Sequence, residues 1–215
     1  MLSRYKTLYK SGCKEIEIKR SKFIGYARQI NSEKDAIKFI EEIRSKHRQA
    51  THNVYAYVFG ERDEIQRYSD DGEPSGTGGI PVLNVIKMEG LKNTAVVVTR
   101  YFGGILLGAG GLARAYGKSA KAAIDDAVIV EKILFRKISI IIEYTLLGIV
   151  QNDLIKNEYF IKSIDYTDKV KINVYIEEGK KDYFIEHIKN LTKANLILKE
   201  DNNLYLYKKG EKYLE

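Results

Sequence analysis

Eleven of the chain's seventeen glycines, and both of its prolines, fall between Gly72 and Gly117, about a fifth of its 215 residues. Glycine admits left-handed backbone and lets a second main chain approach closely, and proline fixes φ, so backbone shape is what this interval specifies. Two blocks stand out, Arg67-Tyr-Ser-Asp-Asp-Gly-Glu-Pro-Ser-Gly-Thr-Gly-Gly79 and Arg100-Tyr-Phe-Gly-Gly-Ile-Leu-Leu-Gly-Ala-Gly-Gly-Leu-Ala-Arg114. The second follows an apolar β-branched run, Thr94 to Thr99, and leads into a helix marked by Leu112, Tyr116, Ala120, Ile124 and Ala127. A strand, a glycine loop and a helix start gather main-chain N–H groups at the positive end of a helix dipole, where an anion such as phosphate is stabilised. Gly103, Gly104, Gly108, Gly110 and Gly111 are the candidate amide donors, and Arg100 and Arg114 are placed to complete a cradle with charge-assisted bonds. A glycine turn serves tight strand-to-helix packing equally well. The block matches neither the Gly-Lys-Ser/Thr phosphate loop nor the dinucleotide fingerprint.

The surrounding pattern predicts an α+β chain of two domains, residues 1–132 and 133–215. In the first, Lys14 to Ile18 and Phe23 to Ile30 read as a hairpin turning near Arg20 and Ser21. Ser32 with Asp35 has capping-box spacing for a helix reaching about His47. Strands are expected at 54–59 and 64–68, a proline-opened helix at 81–88 closed by Gly90, a doubly buried central strand at 94–99, and a helix over 111–127. Beyond Glu131 glycine almost vanishes. Strand 135–144, helix 145–156, strands 159–166 and 170–176, helix 181–191 and strand 196–207 follow in the order β-α-β-β-α-β, which is ferredoxin-like.

Charge is uneven. Residues 1–48 hold 13 Lys and Arg against 6 Asp and Glu, which accounts for the whole net charge of +7. Lys14, Lys19, Arg20, Lys22, Arg28, Arg44, Lys46 and Arg48 are expected to form one basic face that attracts phosphate backbones. No apolar stretch approaches the roughly 20 residues of a membrane span, and no signal peptide is evident, so a cytoplasmic protein without membrane attachment is expected. Cys13 is the only cysteine, which excludes an intramolecular disulfide and a cysteine metal cluster.

The two glycine-bearing blocks, with Ser21-Lys-Phe23 and Thr51-His-Asn-Val-Tyr-Ala56, resemble the IMPACT/YigZ family along the whole chain. The resemblance implies a first domain like domain 2 of ribosomal protein S5 and a second like a carboxy-terminal elongation-factor domain. Eukaryotic members regulate translation through a partner-binding domain that this chain does not match, so their mechanism is not carried over. With the basic and Gly-rich surface of the first domain, the expectation is a translation-associated binding or regulatory role without a cofactor. The partner would be RNA, the ribosome or a translation factor, met through Lys22, Arg100, Arg114 and the loop around Gly103 to Gly111. His52, Asn53, Asp70, Asp71, Gly72, Glu73, Ser75 and Thr77 are the motif residues carried over, and Lys22 and Tyr101 join the candidate anion or nucleic-acid contacts. The chain departs at Val54, often cysteine in relatives, and at Leu106, often lysine.

An enzyme is the alternative. His52, Asp70, Asp71 and Glu73 would meet if strands 53–59 and 64–70 pair, and carboxylates with one imidazole suit a divalent ion and metal-activated water. Against this, Asp70-Asp71-Gly72 reads as a turn, Glu73 as a cap of the Thr77 loop, and His52 as bonded to a backbone group. His47 and His187 read as helix-surface residues, Ser75 and Thr77 as loop hydrogen-bonders, and Tyr68 and Tyr101 as candidate stacking platforms beside the glycine blocks.

Overall fold

The computed structural model describes residues 2–210 and 212–214. The chain is mixed α and β and divides into two units, Tyr5–Glu131 and a second made of the residues up to Arg4 with Lys132–Glu215.

The first unit carries strands β1 (Arg4–Leu8), β2 (Gly12–Ile18) and β3 (Ser21–Gln29), helix α1 (Glu33–Lys46), strands β4 (His52–Phe59) and β5 (Ile65–Ser69), helix α2 (Gly79–Met88), strand β6 (Thr94–Tyr101) and helix α3 (Ala109–Ala127). Its five-stranded sheet is ordered β2-β3-β6-β4-β5, with every neighbour antiparallel. The central place of β6 follows from its composition, since Ala95, Val96, Val97 and Val98 are all fully buried and only a strand covered on both faces hides such a run. One face packs on α2 and α3 through Phe23, Val54, Val96, Val98, Ile86 and Tyr116. The other packs on α1 through Tyr26, Val97, Phe39, Ile40 and Ile43.

Local chemistry sets the element ends. Ser32 accepts the Asp35 amide at 3.1 Å, and the Asp35 carboxylate accepts from the Asn31 amide, so α1 is capped as its spacing predicts. The β2–β3 register pairs Ile18 with Ser21, leaving a two-residue turn of Lys19 and Arg20 at φ 47° and 64°. Positive φ at both positions suits the right-handed twist of a hairpin, here with two side-chain-bearing residues rather than the usual glycine or asparagine. Helix α2 begins two residues before Pro81, and α3 two residues before Gly111.

The second unit contains β7 (Ile129–Ile142), α4 (Tyr144–Lys156), β8 (Phe160–Tyr166), β9 (Val170–Glu177), α5 (Lys181–Leu191), β10 (Ile197–Lys209) and β11 (Lys212–Leu214). The spatial order β11-β10-β7-β9-β8 is that of a β-α-β-β-α-β unit with one added edge strand. Both helices cover one face, where Val150, Leu154, Phe184 and Ile188 meet Ile138, Ile140, Ile172 and Val174. The opposite face holds Ile133, Phe135 and Leu206 with half-buried Phe160, Tyr175 and Tyr213.

Strand β1 has no counterpart in the sequence pattern. Tyr9 N donates to Val128 O inside the first unit, and Leu134 N donates to Ser3 O inside the second, pairings that a local pattern does not encode.

Candidate anion-binding cleft

Three directly paired residues, Phe23 on β3, Arg100 on β6 and His52 on β4, form one cross-strand row on the α3 face of the first sheet. The Arg100 guanidinium is almost fully buried. Its Nη1 donates to Glu73 Oε1 at 2.6 Å, and Tyr116 OH, rising from α3, donates to the same oxygen at 2.7 Å. Phe23 meets the Tyr116 ring edge-on, and the Arg100 guanidinium lies 5.5 Å from the Phe23 centroid and 5.4 Å from that of Phe102. Burial pushes the Tyr116 phenol far above its ordinary range, helped by the Glu73 carboxylate, so it remains a donor at any working pH. His52 Nδ1 donates to the Asp71 carbonyl at 2.8 Å, because a carbonyl oxygen only accepts. That bond turns Nε2 toward Glu73 Oε1 at 3.7 Å.

Above this row opens a cleft of about 420 Å³, walled by His52, Glu73, Arg100, Phe102, Leu107 and Leu112 and closed on one side by the start of α3. The first helical bond of α3 is Leu112 N to Gly108 O. The amides of Ala109, Gly110 and Gly111 therefore start the helix without intrahelical acceptors, and no side chain caps them. Arg114 is exposed and folds back over this turn, so that a Cβ built on Gly110 would lie 3.6 Å from its Nη1. Phe102 and Leu106 stand exposed at the rim.

The glycines divide by role. Gly103 is a packing residue, since an added Cβ would sit 2.0 Å from the Arg20 carbonyl oxygen, and its amide is already held by Ser21 Oγ. Gly104 and Gly108 take φ of 81° and 69° over open space. Among the described residues the amides of Ala109, Gly110 and Gly111 have no acceptor, while that of Phe102 is spent on Thr51 Oγ1.

Several expected contacts lie elsewhere. Tyr101 and its partner Lys22 are one step out of phase with Arg100, and alternation along a strand sends them to the opposite face. Tyr101 bonds His47 Nδ1 at 2.9 Å, and Lys22 pairs with Glu15 at 3.0 Å. His47 is not a surface residue. It is buried between the Tyr26 and Tyr101 hydroxyls, and burial, together with nearby Lys46, lowers its pKa. His187 is half-buried against Asp153 at 2.9 Å. The expected basic face is partly neutralised: Arg28 pairs with Asp35 and Glu42, and Arg44 with Glu41 and Asp71. Of the two departures from the family pattern, Val54 is core and Leu106 is rim.

His52, Asp70, Asp71 and Glu73 are each engaged elsewhere rather than grouped around one point. Asp70 Oδ1 accepts the amides of Gly78 and Gly79, and Oδ2 that of Gly76, so Asp70 rather than Glu73 caps the Thr77 loop. Burial alone would raise Asp70, but these three amides outweigh it and hold the carboxyl below its usual range. Asp71 receives the Asn53 amide at 2.6 Å and Arg44 at 3.1 Å. Glu73 N donates to Asp70 O, closing the turn. Asn53 Oδ1 accepts from Thr99, Thr77 Oγ1 donates to the Pro74 carbonyl, and Ser75 is exposed on the loop. Among the described residues no three His, Cys, Asp or Glu side chains are grouped to hold a metal ion. Sequence reasoning misses Tyr116 as a site residue because it sits on the apolar stripe of α3; the available signal is its hydroxyl, which requires a partner when buried.

Residues 19–124 match the Impact N-terminal domain, and residues 140–195 match a domain of unknown function, DUF1949. The IMPACT family member YvyE of Bacillus subtilis is 44% identical over 97% of this chain and 96% of its own length. The chain belongs to the IMPACT family. Another member, YigZ of Escherichia coli, is 33% identical over 85% of this chain and 90% of its own. Human Protein IMPACT is 44% identical over 62 residues, 27% of this chain and 19% of that protein. A solved structure titled as a hypothetical protein superposes on this IMPACT family chain with a TM-score of 0.60 at 30% identity, covering 92% of this chain and 97% of that one. The Impact N-terminal match contains every residue of the cleft. No helix among the described residues is long and apolar enough to cross a membrane.

Proposed function

We propose that the first unit is a non-catalytic binding module that takes RNA phosphates at the start of α3, within a translation-associated regulatory role. The observation that supports this most directly is the set of uncapped amides at Ala109, Gly110 and Gly111 beside Arg114, which has no ion-pair partner among the described residues. Helix-start amides with an unpaired guanidinium favour a phosphate, and exposed Phe102 next to them offers a face for an unpaired base. Arg100 is not the anchor, because its charge is cancelled by Glu73; the pair acts as a rigid floor that holds β6 and α3 together. Lys19 and Arg20, without an ion-pair partner among the described residues, sit at the hairpin tip that touches Gly103 and extend the positive rim. The link to translation comes from the family resemblance, and the geometry supplies the ligand chemistry.

Filter binding of transfer RNA and cosedimentation with ribosomes, each run across a salt series, test the reading. Affinity should fall with salt, and Arg114→Ala should weaken it uniformly and reduce the salt slope by about one. Affinity indifferent to both salt and Arg114→Ala, or a partner retained after nuclease treatment, would overturn it.

A further inference from the structure

The second unit has a cleft of its own, about 450 Å³, where β8 begins, β9 ends and β7 passes through Phe135. Its floor is the face turned away from α4 and α5. Four rings meet there from four strands. Phe160 and Tyr175 are direct cross-strand partners and stack at 5.5 Å with a 12° interplanar angle. Tyr213 on β11 approaches Phe160 at 5.8 Å and meets Phe135 edge-on at 5.4 Å. None of the four packs on α4 or α5, whose core lies on the opposite face; Phe135 is buried with Ile133 and Leu206, and Phe160, Tyr175 and Tyr213 are half-buried against them.

Charge at this cleft is disposed around the rings. Lys208 on β10 lies over Tyr213 at 5.4 Å and has no ion-pair partner among the described residues. Lys180, just beyond the end of β9, is largely exposed and reaches Glu177 only at 3.8 Å. Two carboxylates also line the space. Glu177 is held by Arg4 at 3.1 Å, whereas Glu158 has no charged partner among the described residues and stands in the turn before β8. Ammonium groups on two sides of an aromatic floor suit a ligand with flat rings and a negative backbone, and the volume is that of a nucleotide-sized site. An apolar peptide would leave both lysines unanswered, and a cationic ligand would meet Lys208 already seated on the ring.

We infer that this open sheet face binds single-stranded RNA, stacking bases on Phe160, Tyr175 and Tyr213 and placing phosphates on Lys180 and Lys208. A β-sheet that presents aromatic rings reads unpaired bases, which cannot reach such rings from within a duplex. The inference concerns a surface separate from the start of α3, and the two stand or fall independently.

The test uses the full chain and a fluorescein-labelled oligouridylate of roughly ten nucleotides, within the span of known single-strand sites. Tyr175→Leu keeps apolar cover on the sheet and removes the stacking face; binding should weaken about tenfold with the salt slope unchanged. Lys208→Gln, a surface change that does not threaten folding, should lower the slope by about 0.7. Photocross-links from 4-thiouridine should map to peptides containing Phe160, Tyr175 or Tyr213. The same strand annealed to its complement should lose the part of the affinity that Tyr175→Leu removes. Cross-links confined to residues 100–114, with both variants binding as the parent does, would overturn the inference while leaving the α3 reading intact. Binding weakened by Arg114→Ala alone would likewise overturn it. A change in self-association on Tyr175→Leu without any effect on the oligonucleotide would also reject it and assign the face to a second copy of the chain.

Discussion

Glu73 is the residue on which the cleft floor turns, because one carboxylate oxygen serves both the buried Arg100 guanidinium and the Tyr116 hydroxyl. Removing one partner of a buried pair strands the other charge, so Glu73→Ala should lower stability by about 3–5 kcal/mol in urea unfolding. Glu73→Gln also leaves the buried Arg100 charge uncompensated but keeps an oxygen acceptor for both donors, so it should cost less than Glu73→Ala; equal losses would show that the carboxylate's charge, rather than its acceptor oxygen, carries the effect. His47 gives a second test at this scale. Its folded pKa is lowered below the ordinary 6.5, first by burial and then by Lys46, so the unfolded chain binds more protons as pH falls. Its contribution is full above pH 6.5 and is lost as pH drops toward the lowered folded value. Urea midpoints at pH 7.5 and pH 5 should therefore converge in His47→Gln relative to the parent; an unchanged difference would assign the acid sensitivity to other groups. Neither burial is legible from the residues alone. An arginine before a glycine loop and a histidine at a helix end both read as exposed, and only a glutamate 27 positions away and two tyrosines on other strands reveal otherwise.

At the scale of elements, signals carried by a few neighbouring residues are readable. The run Thr94–Thr99 announces a strand covered on both faces, and Ser32 with Asp35 announces the start of α1. The alternation that separates Arg100 from Tyr101 is equally present in the sequence, and by itself it places Tyr101 and Lys22 outside the cleft. What a local pattern does not carry is long-range pairing, such as the bond between Tyr9 and Val128. The loop before α2 shows how a short element depends on one side chain. Asp70 accepts three amides there and substitutes for a helix cap, since Gly78 has no side chain to do so. Asp70→Ala should cost about 1–2 kcal/mol or somewhat more, on the scale of a lost cap. Hydrogen exchange should quicken at Gly76, Gly78 and Gly79 while the amides of β6 keep their protection. Exchange that rises evenly through the unit would instead mark Asp70 as a general stability residue.

For the whole molecule, the informative quantity is which cations remain after internal pairing, and the net charge of +7 does not supply it. The excess at the amino end is partly spent: Lys22, Arg28 and Arg44 are held by carboxylates, and Lys46 lies 5.1 Å from the Tyr26 ring. Among the described residues Lys19 and Arg20 have no such partner, and the turn that carries them is braced where Gly103 meets the Arg20 carbonyl. A charge already paired in the free protein releases no counterion when RNA arrives, whereas an unpaired one does. Replacing Lys19 and Arg20 together by Gln should therefore reduce the slope of log affinity against log salt by about 1.4 for a single strand, at about 0.7 per neutralised phosphate. Arg28→Gln should leave that slope where it is and instead lower stability, because Asp35 and Glu42 lose their partner. If the two substitutions changed the slope equally, phosphate would be responding to total charge rather than to the hairpin tip, and the helix-start site would lose its positive rim.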